Sequence, residues 1–122
     1  MASANDTLTA KAYPVIGSDG IVEVTNIIEY TGDISAIGIK IDLPYGVEFQ
    51  EATSDIPPAV GPRKGDTGLL EFAWIMPPAS PFTFTYSAQV YAEDAEDTIH
   101  SLVTYRRTGK PLYTDVDPIK VK

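Results

Sequence analysis

A chain of 122 residues has room for one domain with a sizeable core, and its formal charge of −8, from 17 acidic against 9 basic side chains, is the wrong sign for gripping a polyphosphate. The absence of cysteine removes disulfide frameworks, thiolate metal sites and cysteine nucleophiles. No apolar run approaches the roughly 20 residues of a membrane-spanning helix, so neither nucleic acid nor membrane insertion is expected.

Met1 to Thr7 lacks the basic head and apolar centre of a signal peptide. Met1, Ala2 and Ser3 read like a start added for expression, and residues 1–6 are expected to be disordered or extraneous to a single domain over 7–122. Asn5, Asp6 and Thr7 spell a glycosylation sequon.

From there turn-forming residues punctuate the chain: 17–20, Gly32 and Asp33, 44–46, 57–68, 77–81, 93–97, 109–111 and Pro118. Between them lie segments rich in Ile, Val, Thr, Tyr and Phe, which predict strands at 7–13, 21–30, 35–43, 47–51, 69–76, 82–92 and 98–107, with an eighth at 112–121. In the second, Val22, Val24, Ile28 and Tyr30 share a face, interrupted by Asn26, against Glu23, Thr25 and Glu29. In the third, Ile37, Ile39, Ile41 and Leu43 alternate with Ala36, Gly38, Lys40 and Asp42. In the fifth, Leu70, Phe72 and Trp74 oppose Leu69, Glu71 and Ala73, and Trp74 is the expected core anchor. The sixth has the longest alternation, Phe82, Phe84, Tyr86, Ala88 and Val90 against Thr83, Thr85, Ser87 and Gln89. The ten prolines, nearly all at predicted strand ends, argue against long helices. The expected fold is an all-β, antiparallel two-sheet sandwich of seven to eight strands, with a core about 10 Å thick and Thr, Ser, Glu and Lys outside.

The order of these segments resembles bacterial immunoglobulin-like or fibronectin-III-like modules of large secreted and cell-surface proteins. The residues that carry the resemblance are Tyr13 and Pro14, the strand ending at Tyr30 with the turn Thr31, Gly32, Asp33, and the strand closing in Leu43, Pro44, Tyr45, Gly46. Leu70 to Trp74, Phe82 to Val90, and Thr104 to Arg107 with Gly109 continue it, so that residues 8–121 are covered. The Cys, Trp, Cys signature of antibody domains is absent. The resemblance implies an immunoglobulin-like spacer or adhesion module in a longer extracellular chain, with cohesins as the nearest structural competitor. It transfers no binding residue.

No residue qualifies as catalytic, cofactor-binding or metal-binding, and no cofactor is expected. Asp66, Thr67 and Gly68 spell the aspartic-protease triplet, but only one copy exists and Arg63, Lys64 and Gly65 stand where a hydrophobic strand belongs. A tight turn is expected there. His100, the only histidine, neighbours Ser101 on a predicted strand, where adjacent side chains point to opposite faces and cannot act as base and nucleophile. Residues 61–68 have Lys64 misplaced for a phosphate-binding loop. Glu93, Asp94, Glu96 and Asp97 crowd one turn, and Asp115 lies near Asp117; these offer oxygen ligands for calcium, but a solvated turn is the expectation. Tyr45, Tyr91, Tyr105 and Tyr113 are the candidates for a sugar-stacking platform.

The favoured reading is a non-catalytic structural, spacer or adhesion module of a larger extracellular bacterial protein, not an enzyme. Its partners would be neighbouring domains. The alternative is a sandwich that binds a carbohydrate or, like a cohesin, a protein; it requires an exposed aromatic platform or an apolar patch of several hundred Å².

Overall fold

The computed structural model describes residues 7–54 and 56–121. Asn5 of the sequon and the predicted disorder at 1–6 lie outside the described residues. Every regular element among those described is a strand: β1 (Leu8–Ile16), β2 (Ile21–Tyr30), β3 (Ala36–Asp42), β4 (Val47–Ser54), β5 (Leu69–Trp74), β6 (Phe82–Val90), β7 (Thr98–Arg107) and β8 (Lys110–Lys120). They form two antiparallel four-stranded sheets, β1-β2-β6-β4 and β5-β3-β7-β8.

Alternation sets which faces meet. Val22, Val24 and Ile28 of β2 and Phe84, Tyr86 and Ala88 of β6 are buried against Ile37, Ile39 and Ile41 of β3, Leu70, Phe72 and Trp74 of β5, and Val103 of β7. Asn26 is also buried, and its side-chain amide donates to the Phe84 carbonyl at 3.4 Å, which satisfies the one polar interruption of the inward row. An aromatic cluster joins the layers: the Phe84 ring lies 4.6 Å from Phe72 and 5.3 Å from Trp74, both edge-on.

Three strand boundaries differ from the sequence prediction for identifiable reasons. β1 runs through Pro14, and β8 begins before Pro111 and, as predicted, runs through Pro118; both are edge strands, where a missing N–H can face solvent. Proline was a stop signal only if a partner strand lay on that side. β4 continues to Ser54 because a bulge at Gln50, between the pairs Phe49↔Ala88 and Glu51↔Ser87, switches which residues point inward. The predicted third, fifth and sixth strands are trimmed by one or two residues at their ends.

The other edge of the sandwich is covered. Residues 56–68 run alongside β4 and β5, with Gly65 N–H donating to the Phe49 carbonyl at 2.7 Å and Phe49 N–H to the Asp66 carbonyl at 2.8 Å. Val60 bridges to Ala73. This loop satisfies edge groups that would otherwise recruit another strand.

The β7–β8 hairpin turns on Thr108 and Gly109, with φ of 48° and 79°. Positive φ at both central positions is the geometry that suits Asn-Gly, whereas a β-branched residue is strained there. Thr108→Asn is therefore expected to stabilise the fold by about 0.5–1 kcal/mol, read as a higher urea midpoint at constant m-value.

Candidate functional site

The outer faces of the two sheets differ. On the β1-β2-β6-β4 sheet the solvent side carries Glu23, Thr25 and Glu29 beside Thr83, Thr85 and Ser87, as expected, with exposed Tyr13 and Val15 on its β1 edge; the hydroxyls of Thr25 and Thr85 lie 3.4 Å apart. The β5-β3-β7-β8 sheet breaks the expectation of a Thr, Ser, Glu and Lys exterior. Its register sets Ala73 beside Gly38, Gly38 beside Thr104, and Thr104 beside Tyr113. The next row is Glu71, Lys40, Leu102 and Asp115. Exposed apolar groups flank these rows, Leu69 at 59%, Ile75 at 75% and Tyr113 at 68%.

Small residues make this face concave. A depression of about 740 Å³ lies over Ala36, Gly38, Ala73 and Thr104, between Ile75 and Tyr113, and a second of about 590 Å³ lies between Lys40, Asp42, His100 and Asp117. Gly38 is needed at the floor: a Cβ there would come within 2.9 Å of the Thr104 hydroxyl and 3.0 Å of the Phe72 carbonyl oxygen. Charge is ordered along the strands, with Arg106 at one end, the Lys40–Glu71 ion pair at 3.8 Å in the middle, and Asp42 and Asp117 at the other end. That pair is exposed and contributes little to stability.

Of the residues singled out from sequence, His100, Tyr113, Asp115 and Asp117 lie along this face, and the acidic turn, Asp66, Tyr45 and Tyr91 lie apart from it. Asp66 closes a tight turn, its backbone N–H donating to the Arg63 carbonyl at 3.0 Å and its carboxylate accepting from the Arg63 N–H at 2.9 Å. His100 is exposed on β7 opposite Asp42, as the surface reading required. The four tyrosines are dispersed. Tyr45 and Tyr91 project beside the 91–97 turn, Tyr113 lies on the concave face near the opposite end, and Tyr105 packs against the core under the Arg107 guanidinium, 5.7 Å from its ring centroid. No three-ring platform forms from them.

In the acidic turn, Glu93, Asp94 and Glu96 are exposed, while Asp97 is held by its neighbours. Its carboxylate accepts from the Lys120 ammonium at 3.1 Å and from the Thr98 hydroxyl at 3.0 Å, and these bonds, Lys120 first, hold its pKa below the ordinary carboxylate range. A lowered folded value means that any stabilisation is present above the unfolded pKa and is lost as pH falls through the folded one. Lys120→Ala should move the Asp97 carboxyl titration upward, read by NMR.

The path of the chain gives the molecule a direction. At one end, here called the head, Thr7 is held by Thr31 N–H donating to its carbonyl at 2.9 Å; the Arg107 guanidinium reaches that same carbonyl at 3.1 Å and the Asp33 carbonyl at 3.4 Å. At the other end, the foot, Val121 N–H donates to the Asp97 carbonyl at 2.9 Å, and Glu96 N–H donates to the Tyr45 carbonyl at 3.0 Å. Gly46, with φ of 87°, lets these foot loops close: a Cβ there would sit 2.5 Å from that of Ala95. β1 and β8 both run from head to foot, and the 11 residues of β8 set the length at about 35 Å. Thr7 and Val121 thus lie at opposite ends.

No protein-family model matches the chain, and no curated protein matches it. Solved structures match in fold. The chain is similar to part of the full-length major pilin SpaD of Corynebacterium diphtheriae, with a TM-score of 0.70 and 10% identity, covering 91% of this chain and 34% of the pilin. It spans about a third of that protein's length. It is also similar to the second type II cohesin module of the ScaA scaffoldin of Acetivibrio cellulolyticus, with a TM-score of 0.54 and 11% identity over 95% of this chain and 96% of that one. A third likeness is the chitin-binding domain of the Pyrococcus furiosus chitinase, with a TM-score of 0.52 and 13% identity over 88% and 99%. At such identities the likeness establishes the immunoglobulin-like β-sandwich.

Proposed function

We propose that this chain is a non-catalytic spacer or adhesion module of a longer extracellular polypeptide, joined in series through its head and foot. The observation that carries the reading is the placement of Thr7 and Val121 at opposite ends, each fastened by backbone hydrogen bonds to its own end of the sandwich. A module so threaded adds its full length to a chain, whereas one with adjacent termini would hang as a side branch.

The likeness to a major pilin and to a cohesin module of an adaptor scaffoldin supports a module displayed as part of a larger protein. Labelling of the source cells with an antibody to this domain tests the reading. Equal labelling of intact and permeabilised cells is expected; labelling only after permeabilisation would overturn it.

A second reading, a sandwich that binds a ligand on the β5-β3-β7-β8 face, is favoured by the concave, apolar character of that face and by the chitin-binding and cohesin likenesses. A glycan array separates the two. Specific retention of one glycan class, abolished by Tyr113→Ala, would favour binding of carbohydrate over spacing alone.

A further inference from the structure

We propose that the outer face of the β5-β3-β7-β8 sheet docks onto the same face of a second copy of this chain, in an antiparallel two-fold pair. The face carries exposed Leu69, Ile75 and Tyr113 around a hollow floored by Ala36, Gly38 and Ala73, which gives it apolar surface to bury. Charge selects the occupant.

In a face-to-face pair the two-fold axis lies in the interface, and an axis crossing the strands turns each face end for end. Arg106 at the head of one copy then lies over His100 at the foot of the other, between Asp42 and Asp117 on the neighbouring strands, and the same contact occurs twice. The apolar groups follow the same symmetry. Leu69 and Ile75 stand at opposite ends of the β5 side of the face, so the rotation brings Ile75 of one copy over Leu69 of the other. Gly38 and Lys40 flank the middle of β3, and the rotation sets the long Lys40 side chain of one copy over the Gly38 floor of the other. The hollow and its filler are thus parts of one surface.

Size and net charge set the strength. Three steps between strands and about six along them give a face of roughly 14 by 20 Å, which falls short of the roughly 800 Å² per partner of a standard interface. Pairing is therefore weak, with a Kd on the order of 100 μM. The charge of −8 on each copy opposes approach, but at physiological salt that repulsion is screened beyond about 8 Å, whereas ion pairs in contact are screened much less. The pairing does not depend on the series reading. Where that reading holds, many weak pairs along two aligned arrays add by avidity.

Sedimentation equilibrium at physiological salt, up to a chain concentration of about 1 mM, tests the proposal at about ten times the expected Kd. The weight-average mass should rise toward that of a dimer. Arg106→Glu alone, and Asp42→Lys with Asp117→Lys, should each weaken pairing by at least about tenfold, because each sets like charges in contact. All three changes together reverse both partners and should restore it. Glu23→Lys, on the outer face of the other sheet, should leave the mass unchanged. A monomer throughout, failure of the combined variant to restore pairing, or an equal effect of Glu23→Lys would overturn the proposal. So would retention of a glycan or an unrelated peptide on this face by a chain that stays monomeric.

Discussion

Truncation of Trp74 to alanine is expected to destabilise the domain by about 3–5 kcal/mol. The side chain is 2% exposed, packs edge-on against Phe82 at 5.8 Å and Phe84 at 5.3 Å, and donates its indole N–H to the Ile56 carbonyl at 2.8 Å. Two losses combine: a cavity where the ring stood, and a carbonyl deprived of the bond that ties the 56–68 loop to the end of β5. Trp74→Phe separates them, since it retains most of the volume but loses the donor; it should cost about 1–2 kcal/mol. Thermal or urea unfolding followed by far-UV circular dichroism measures both variants. An unchanged melting temperature for Trp74→Ala would mean that the ring faces solvent, and would reopen the stacking-platform reading.

Phe84→Ala should cost about 3–5 kcal/mol as well, for a different reason. Phe84 is fully buried on β6, in one sheet, while its nearest ring neighbours, Phe72 and Trp74, belong to β5 in the other. Its removal therefore opens a void between the layers, where neither sheet can close inward without losing its own register. Because Phe84 and Trp74 touch, their effects should not add: the double variant should deviate from the sum by about 0.5–1.5 kcal/mol, the coupling of an edge-on aromatic pair. Additivity within experimental error would show that the two rings do not share a contact. Against a typical total stability of roughly 5–15 kcal/mol, either substitution alone removes a large share of the margin.

The inward faces were legible because alternation is a local signal. Phe82 to Val90 and Ile37 to Leu43 show it in single strands, and burial follows it residue by residue. The strand limits were less legible, because Pro14 and Pro111 are permitted only by the edge positions of β1 and β8, which depend on the order of strands in space. At β4 the bulge at Gln50 interrupts the period from which a strand is read, so the segment after it looked like loop.

The concave face was hidden for a related reason. Ala36, Gly38, Leu69 and Ala73 each stood on the solvent side of a predicted strand, and none is unusual alone. Only the order β5-β3-β7-β8 sets Ala73, Gly38, Thr104 and Tyr113 in one row. The aromatic signal pointed elsewhere, because four tyrosines scattered over two ends of the molecule look alike in a sequence.

A module joined in series must take tension through its two ends. β1 begins at the head and β8 ends at the foot, so pulling through Thr7 and Val121 slides each strand lengthwise along its partner. Antiparallel hydrogen bonds lie perpendicular to the strands, and in this geometry they share the load rather than breaking one after another. Single-molecule pulling tests this directly, with handles on cysteines introduced into a chain that has none. Extension through residues 7 and 121 should require a distinctly higher force than extension through Thr98 and Val121, which lie together at the foot and would peel β8 from β7 one pair at a time. Equal forces in the two geometries, or a lower force through residues 7 and 121, would contradict a spacer held in series.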